Sequence, residues 1–520
     1  MSGALQAAIL ALQEGRLDEG LALLEATDLD LQAAFDAAFA EVSPDADAVY
    51  NAGVGLHVRG RAVEALVCFE RALVLQPEHL PALANRGMIL VQQGRHAEAL
   101  EAFEAGQTLA PGHPVLLRGQ VEALIGLGCW SEALPVATEL VAAAPDEAEA
   151  WNKLGAARSH AGDLEAALEA FDRALSLEPV HAGAAYNRGN VLRDLGRFEA
   201  ALAAYDQAIG LGDAVNAPIN KALVLMLLSD YERGLPLYET RWRSEQAGVQ
   251  QPLDPVLWHG RARLAGKRLL MRAEQGHGDA IQMLRYAPIV AAAGAKVLVQ
   301  VPEVLAELTR SAPGVEDVWT LEETAPKAEI VCPMMSLPLL LGRRPDAPGP
   351  SAYLHAAPER WEAWARRLGP RRGRRIGLAW SGSAAHVNDR NRSLPAAALE
   401  PLLEADAEFV SLQAQYRDGD RAWLEASGVR DVSGDLGDFA DTAGLIEDLD
   451  LVISADTAVA HLTGALGRRV WILLPFVPDF RWGLGRTETP LYPSARLFRQ
   501  PAPEAWGAVI AEVARALRSF

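Results

Sequence analysis

With 520 residues, half of them hydrophobic, the chain is long enough for two to four domains with real cores and too apolar to be disordered. A formal net charge of -20 argues against a nucleic-acid binder and disfavours docking on an anionic membrane, both of which call for a basic surface. Three scattered cysteines, Cys68, Cys129 and Cys332, match neither a disulfide framework nor a metal spacing and suit a reducing cytoplasm.

The N-terminal residues "MSGALQAAILALQEGRLDEG" lack the basic and long apolar regions of a signal peptide, and no apolar run reaches the length of a bilayer span. From there the first half repeats itself. Pro77, Pro111, Pro145 and Pro179 are spaced by 34 residues, as are Gly60, Gly94, Gly128, Gly162 and Gly196, and Ala65, Ala99, Ala133, Ala167 and Ala201. Gly53, Gly87, Gly155 and Gly189 form a fourth register, broken only by Val121. Small residues let two antiparallel helices approach, the glycine of "AGD" or "LGR" ends the first helix in a left-handed turn, and the proline opens the next unit. The pattern resembles the tetratricopeptide repeat. Five clear units span roughly residues 48 to 213; a sixth, "NAPINKALVLMLLSDYERGLPLYETRW", is degenerate, and "LQAAILALQEGRLDEGLALLEA" reads as an N-terminal cap. Solenoids of this kind present a groove for a peptide or protein, or a surface for scaffolding and homo-oligomerisation. Asn85, Asn152, Asn187 and Asn220 recur near first-helix starts, where they either clasp a peptide backbone or simply cap and solvate.

Beyond about residue 245 the period vanishes and strands alternate with helices. "KRLLMRAEQG", "AKVLVQVP", "VEDVWTL" and "AEIVCP" read as strands, with "DAIQMLRYAPIVAAAG" as one helix between the first two. After the Pro/Gly-rich linker "GRRPDAPGPSAYLHAAPE" come "RRIGLAW", "EFVSLQ", "VRDVSG", "LDLVISA", "RRVWILLP" and "ARLFRQ" as strands, with helices at "DGDRAWLEASG", "DFADTAGLIED" and "TAVAHLTGALG". The expected architecture is an all-α repeat superhelix over 1–245, then two Rossmann-like α/β lobes over 246–345 and 346–520. Ligands of such sheets bind at the carboxyl ends of the strands.

Four loops fall there. "SADTAVAH" puts Asp456, Thr457 and Ala458 at the start of a helix whose unpaired N–H groups suit a phosphate, with Thr457 as a cap and His461 one turn on. "AEQGHGD" gives Gly276, His277, Gly278 and Asp279 at the opening of the first lobe's first helix. "WSGSAAHVNDRNR" offers Ser381 and Gly382 with Arg390 and Arg392, which neutralise a diphosphate. Gln413 ends "FVSLQ", within reach of a ribose or base. Each has an ordinary reading too, as a cap, a turn or packing. "DLD" at Asp448 and Asp450 enters its strand from the wrong end for a metal site and reads as structural. Arg481, Trp482 and Tyr492 either line a sugar pocket or pack a long loop.

"GHGDAIQMLRY" and "SADTAVAHLTGALGRRVWILLP" resemble the B-type (GT-B) glycosyltransferases, and more narrowly the bacterial heptosyltransferase family and its tetratricopeptide-linked relatives, over roughly residues 266 to 500. In that family a "D-T-G-x-x-H" loop holds the donor phosphates. Asp456, Thr457 and His461 match it, and Ala458 stands where the family has glycine. The family's proposed base maps to Asp279, with His277 as a second candidate; its phosphate-binding lysine has no counterpart, leaving that role to Arg390 or Arg392. The resemblance implies a metal-independent sugar transfer with no cofactor beyond the nucleotide-sugar substrate. The layout is also similar to bacterial flagellin O-glycosyltransferases, which use a CMP-linked nonulosonic acid such as pseudaminic acid. The expected activity is therefore O-glycosylation of Ser/Thr on a protein acceptor such as flagellin, docked by the repeats in the cytoplasm. A glycolipid sugar transferase and a non-catalytic repeat scaffold are the alternatives.

Overall fold

The computed structural model describes residues 7, 11, 45–213, 215–243, 258, 260, 263–384, 386 and 388–520. Apart from residues 7 and 11, the expected N-terminal cap lies outside them, as does the position 245 where the repeats were expected to end. The chain divides into two compact units, Met1–Val191 and Leu192–Phe520.

In the first unit, antiparallel helix pairs follow the period: α1 (Ala46–Val58) with α2 (Ala62–Leu75), α3 (Leu80–Gln92) with α4 (His96–Leu109), α5 (Pro114–Gly126) with α6 (Trp130–Ala143), and α7 (Ala148–His160) with α8 (Leu164–Leu177). The turn glycines Gly60, Gly94, Gly128 and Gly162 have φ of 80°, 74°, 74° and 88°, a backbone region that a Cβ penalises. The first-helix glycines have a different purpose. A Cβ on Gly53, Gly87 or Gly155 would lie 2.7, 2.6 or 2.7 Å from the ring of Phe69, Phe103 or Phe171 on the second helix. Each pair is thus a glycine notch filled by an aromatic. The third pair inverts this volume: Val121 stands at the notch, Ala137 stands where the others have phenylalanine, and the two share one small core.

Three of the four asparagines link neighbouring repeats. Asn85 Nδ2 donates to Tyr50 Oη (2.9 Å), and Asn187 Nδ2 donates to Asn152 Oδ1 (3.0 Å), whose own Nδ2 donates to Glu149 Oε2 (3.1 Å). These amides tie one repeat to the next, a use that neither sequence reading foresaw.

Helix α9 (Ala182–Asp194) straddles the division between units, and α10 (Phe198–Gly210), α11 (Asn216–Leu227) and α12 (Tyr231–Tyr238) belong to the second. Met226, Tyr231, Leu235 and Tyr238 share one hydrophobic core with Leu269 and Met271 of the first sheet and Trp482 and Tyr492 of the second lobe.

Both sheets of this unit are parallel. The first has order β3-β2-β1-β4, built from β1 (Arg268–Arg272), β2 (Lys296–Val301), β3 (Val315–Thr320) and β4 (Ile330–Pro333). The second has order β6-β5-β7-β8-β9, built from β5 (Arg374–Ala379), β6 (Ala407–Ser411), β7 (Leu451–Ala455), β8 (Val470–Leu474) and β9 (Ala495–Arg499). Near-continuous burial along β2, β5, β7 and β8 is what helices on both faces require.

Two elements differ from expectation. The long helix after β1 is broken into α13 (His277–Met283), a 3-10 turn (Leu284–Tyr286) and α14 (Ala287–Ala292), because Pro288 supplies no N–H and crowds the carbonyl four residues back. "VRDVSG" forms one isolated bridge, Val410 to Arg430, instead of a strand. The Arg430 backbone pairs with Phe409 and Ser411 of β6, and the ladder stops there because Asp431 accepts from Ser433 N–H at the start of a 3-10 turn, Ser433–Asp435.

Candidate functional site

The first-lobe turn leaves β1 through Glu274 and Gln275 and enters α13 at His277. Gly276 N–H donates to Asp279 Oδ2 (3.0 Å), so this carboxylate folds back over the helix start. Its other oxygen, Oδ1, accepts from Arg481 Nη2, a residue 202 positions away in the second lobe. Arg481 is buried and fully engaged: Nε donates to Gln282 Oε1 (2.5 Å) and Nη1 to Asp479 Oδ1 (2.8 Å). Two flanking carboxylates hold the guanidinium charged against the cost of burial.

The second-lobe motif joins β7 to α15 (Ala458–Ala465). Thr457 occupies the N-cap position without capping; its hydroxyl bonds to Ser454 Oγ (3.1 Å) instead. Among the described residues only Ser229 and Glu504 are non-glycines with positive φ, so the backbone at Ala458 does not call for a glycine. Asp456 is buried and raised to about 6, by burial first and by Asp479 second. The buried indole N–H of Trp482 faces this carboxylate and offsets part of that rise. His461 Nδ1 bonds to Tyr492 Oη (2.9 Å), and its ring stacks on Trp482 at 5.1 Å. Burial and the charge of Arg481 lower it to about 3, so it is a neutral imidazole at pH 7.

The two motifs meet. A Cβ on Gly278 would stand 2.9 Å from His461 Cδ2 and 3.5 Å from Ala458 Cα. Only the bare glycine lets the first-lobe turn rest on the first turn of α15.

The loop after β5 completes the group. Arg392 Nη1 donates to the carbonyl of Asp456 (3.1 Å), and its guanidinium lies where a Cβ on Gly382 would be, 2.5 Å away. Arg417 braces the loop through Asp389 and through Ser393 Oγ (3.2 Å). Ser381 is buried, and Gln413 spends its amide on it: Oε1 accepts from Trp380 and Ser381 N–H (both 3.2 Å), while Nε2 donates to Ser381 O and Oγ (both 2.9 Å). Gln413 thus shapes the loop from behind. Arg390 is exposed on the same loop. His277 turns its edge to Phe439 at 5.3 Å, and surrounding protein lowers its pKa.

Asp279, Gly278, Asp456, Ala458, His461, Arg392 and Gly382 are therefore gathered, while His277 and Gln413 face other neighbours. Sequence reasoning missed Asp479, Gln282 and His386. His386 is exposed on the loop after β5, where its Nδ1 accepts from Asn388 N–H (3.1 Å), and its pKa is lowered by its surroundings and by Arg392. The available signal was a histidine four residues before Arg390 on the loop after β5. Asp448 and Asp450 pair with Arg375 and Arg371 at the opposite edge of the sheet, a structural use. Among the described residues, no group of three or more His, Cys, Asp or Glu is placed to hold a metal, and no helix is long and apolar enough to cross a membrane.

Comparison with known proteins bears on the repeats. The tetratricopeptide repeat model matches residues 64–114, 118–179, 157–216 and 186–243, so the chain carries this repeat through its last α-helical pair. Protein FlbA of Caulobacter vibrioides (strain ATCC 19089 / CIP 103742 / CB 15) is 28% identical over 344 residues, covering 58% of this chain and 54% of that protein. The chain thus spans about half the length of this curated relative. MamA (41-end) from Desulfovibrio magneticus RS-1 is 25% identical, with 32% of this chain and 94% of that chain covered and a TM-score of 0.30. TTC0263, a thermophilic TPR protein of Thermus thermophilus, is 23% identical, with 35% and 99% covered and a TM-score of 0.31.

Proposed function

We propose that the chain is a glycosyltransferase of the GT-B type that moves a sugar from a nucleotide sugar to a Ser/Thr hydroxyl of a protein held by its repeats. The observation that carries this reading is the contact of the two motifs: Gly278 beside His461, with Asp279 tied to Arg481 across the lobes. Two turns at the carboxyl ends of two parallel sheets converge on one centre, where such sheets take their ligands. In the proposed step the acceptor oxygen bonds to the anomeric carbon while Asp279 takes its proton. The bond from that carbon to the phosphate oxygen breaks, and its electron pair leaves with the nucleotide. Arg392, Arg390 and the positive end of α15 offset the charge on the departing phosphate. The neutral His461 adds no charge and serves as a rigid wall. Tetratricopeptide grooves bind proteins, which favours a protein acceptor over a lipid. Flagellin with CMP-pseudaminic acid is the pair we name first, and the match to FlbA fits a bacterial setting.

The test is intact-mass analysis of flagellin after incubation with the chain and UDP-, GDP-, ADP- or CMP-linked sugars. A mass increment of one sugar is expected; no increment with any donor overturns the reading. Transfer to a lipid acceptor alone would select the glycolipid alternative. The engagement of Asp279 by Arg481 favours a second reading, a non-catalytic scaffold, which predicts binding of flagellin without modification.

A further inference from the structure

The end of the repeat series is wired into the turn that carries Asp279. Helix α12 closes at Tyr238, and a 3-10 turn, Glu239–Arg243, follows. The Tyr238 hydroxyl and the Gln275 amide bond to each other, with Nε2 donating to Oη at 2.7 Å and Oη lying 3.1 Å from Oε1. Arg241 is wholly buried. Its Nη2 donates to Glu274 Oε1 (2.7 Å) and Ser336 Oγ (2.8 Å), and its Nη1 to Glu239 Oε1 (2.6 Å). Ser336 Oγ closes the ring by donating to Glu239 Oε2 (2.8 Å). Glu274 and Gln275 are the two residues directly before Gly276, whose N–H holds Asp279. The repeat thus grips both residues of the lead-in, one by a charged fork and one by a hydroxyl.

Arginine suits this task because its planar fork reaches several acceptors at fixed angles, which an ammonium cannot do. Burial pushes the Tyr238 phenol up to about 12, so the hydroxyl keeps its proton across the working pH range. A displacement of about 1 Å at a reacting group lowers a rate by roughly 10²-fold, far more than the loss of one hydrogen bond lowers stability.

We propose that Tyr238 and Arg241 are positioning residues, through which the last repeat sets the orientation of the Asp279 carboxylate. The inference rests on the glycosyl-transfer reading for its catalytic consequence. It makes the repeat a working part of the reaction centre in addition to a docking surface.

Tyr238→Phe removes only the hydroxyl, and Arg241→Lys keeps the charge while losing the fork. Both variants are made in the full chain and read in two ways. The first is amide hydrogen exchange at Gly276–Asp279 without donor. The second is kcat and donor KM for transfer from CMP-pseudaminic acid to flagellin. Expected for Tyr238→Phe are about 10-fold faster exchange in the turn and about 10-fold lower kcat, with donor KM and Tm near wild type. Arg241→Lys should show the same split with a larger effect. Exchange and kcat at wild-type values in both variants would overturn the proposal. So would a general loss, in which Tm, kcat and exchange throughout the unit change together. If the wild type transfers no sugar, the glycosyl-transfer reading falls, and the exchange rates alone decide whether the repeat holds the turn.

Discussion

The two units solve the problem of specifying neighbours in opposite ways. In the first, every contact that matters lies within about one repeat: Gly155 meets Phe171, and Asn187 meets Asn152. In the second, Asp279 meets Arg481 and Arg241 meets Ser336, across 202 and 95 positions. Local pairing can be checked residue by residue along a sequence. Distant pairing exists only once two sheets and a helix have been assembled, and its members look unremarkable until then.

The largest effect is expected where the distant pairing meets chemistry. Asp279→Asn should lower transfer by about 10²- to 10⁴-fold, the usual contribution of a general base. Intact-mass kinetics on flagellin would measure it. Asn keeps one acceptor oxygen, so either Gly276 N–H or Arg481 loses its partner, and unfolding in urea should shift by about 1–2 kcal/mol. A variant that folds and transfers normally would reduce Asp279 to a cap.

Next comes Arg481→Met. It leaves Asp279 and Asp479 facing each other without the buried cation between them, and removing one member of such a group costs about 3–5 kcal/mol. A shift in urea midpoint well under 1 kcal/mol would mean that the second unit depends on its long-range ion pairs much less than the comparison implies.

The local pairing is tested by a cycle at the inverted third pair. Val121→Gly opens a cavity and Ala137→Phe overfills the same space, each at about 1–3 kcal/mol. Together they recreate the glycine notch and aromatic of the other pairs, so the double variant should recover most of both losses. Additive losses would show that the two positions do not share one volume.

The smallest effect concerns acidity. His461 is lowered from 6.5 to about 3, so as pH falls below 6.5 the unfolded chain takes a proton that the folded chain refuses, and stability is lost down to pH 3. Asp456 is raised from 3.8 to about 6, so between those values the folded chain holds the extra proton, and stability is gained as pH falls. The two largely cancel between pH 6 and 4, leaving a net change of about 1 kcal/mol. His461→Asn removes one side of the balance and should become more stable on acidification from pH 6 to 4. A flat profile in both proteins would refute the opposed pair.

Much of the fold was legible in the residues. The repeat register followed from glycine, alanine and proline, and the nine strands of the two sheets coincide with short apolar runs ending in Gly, Pro or polar turns. The helix after β1 differs because its apolar period continues straight through Pro288, and "VRDVSG" because Asp431, inside its strand-like alternation, turns the chain back onto Ser433. The motif turns were visible as well, yet what holds them was not. Nothing in "PDFRW" announces that Arg481 reaches Asp279, nor does "YETRW" reveal that Arg241 grips Glu274. Gln413 and Thr457 stood at the right strand ends, and both turned inward to bond with the protein's own loops.

The inverted volume of Val121 and Ala137 also bears on how such an array can change in length. Repeated DNA gains and loses copies by crossing over between look-alike segments. A crossover that joined α5 to a second helix from another repeat would press Val121 against a phenylalanine; the reverse joining would leave a glycine facing an alanine over an empty space. Whole-unit exchanges escape both faults. The third repeat is thus keyed like a lock, its two helices fitting each other and not the helices of the other pairs.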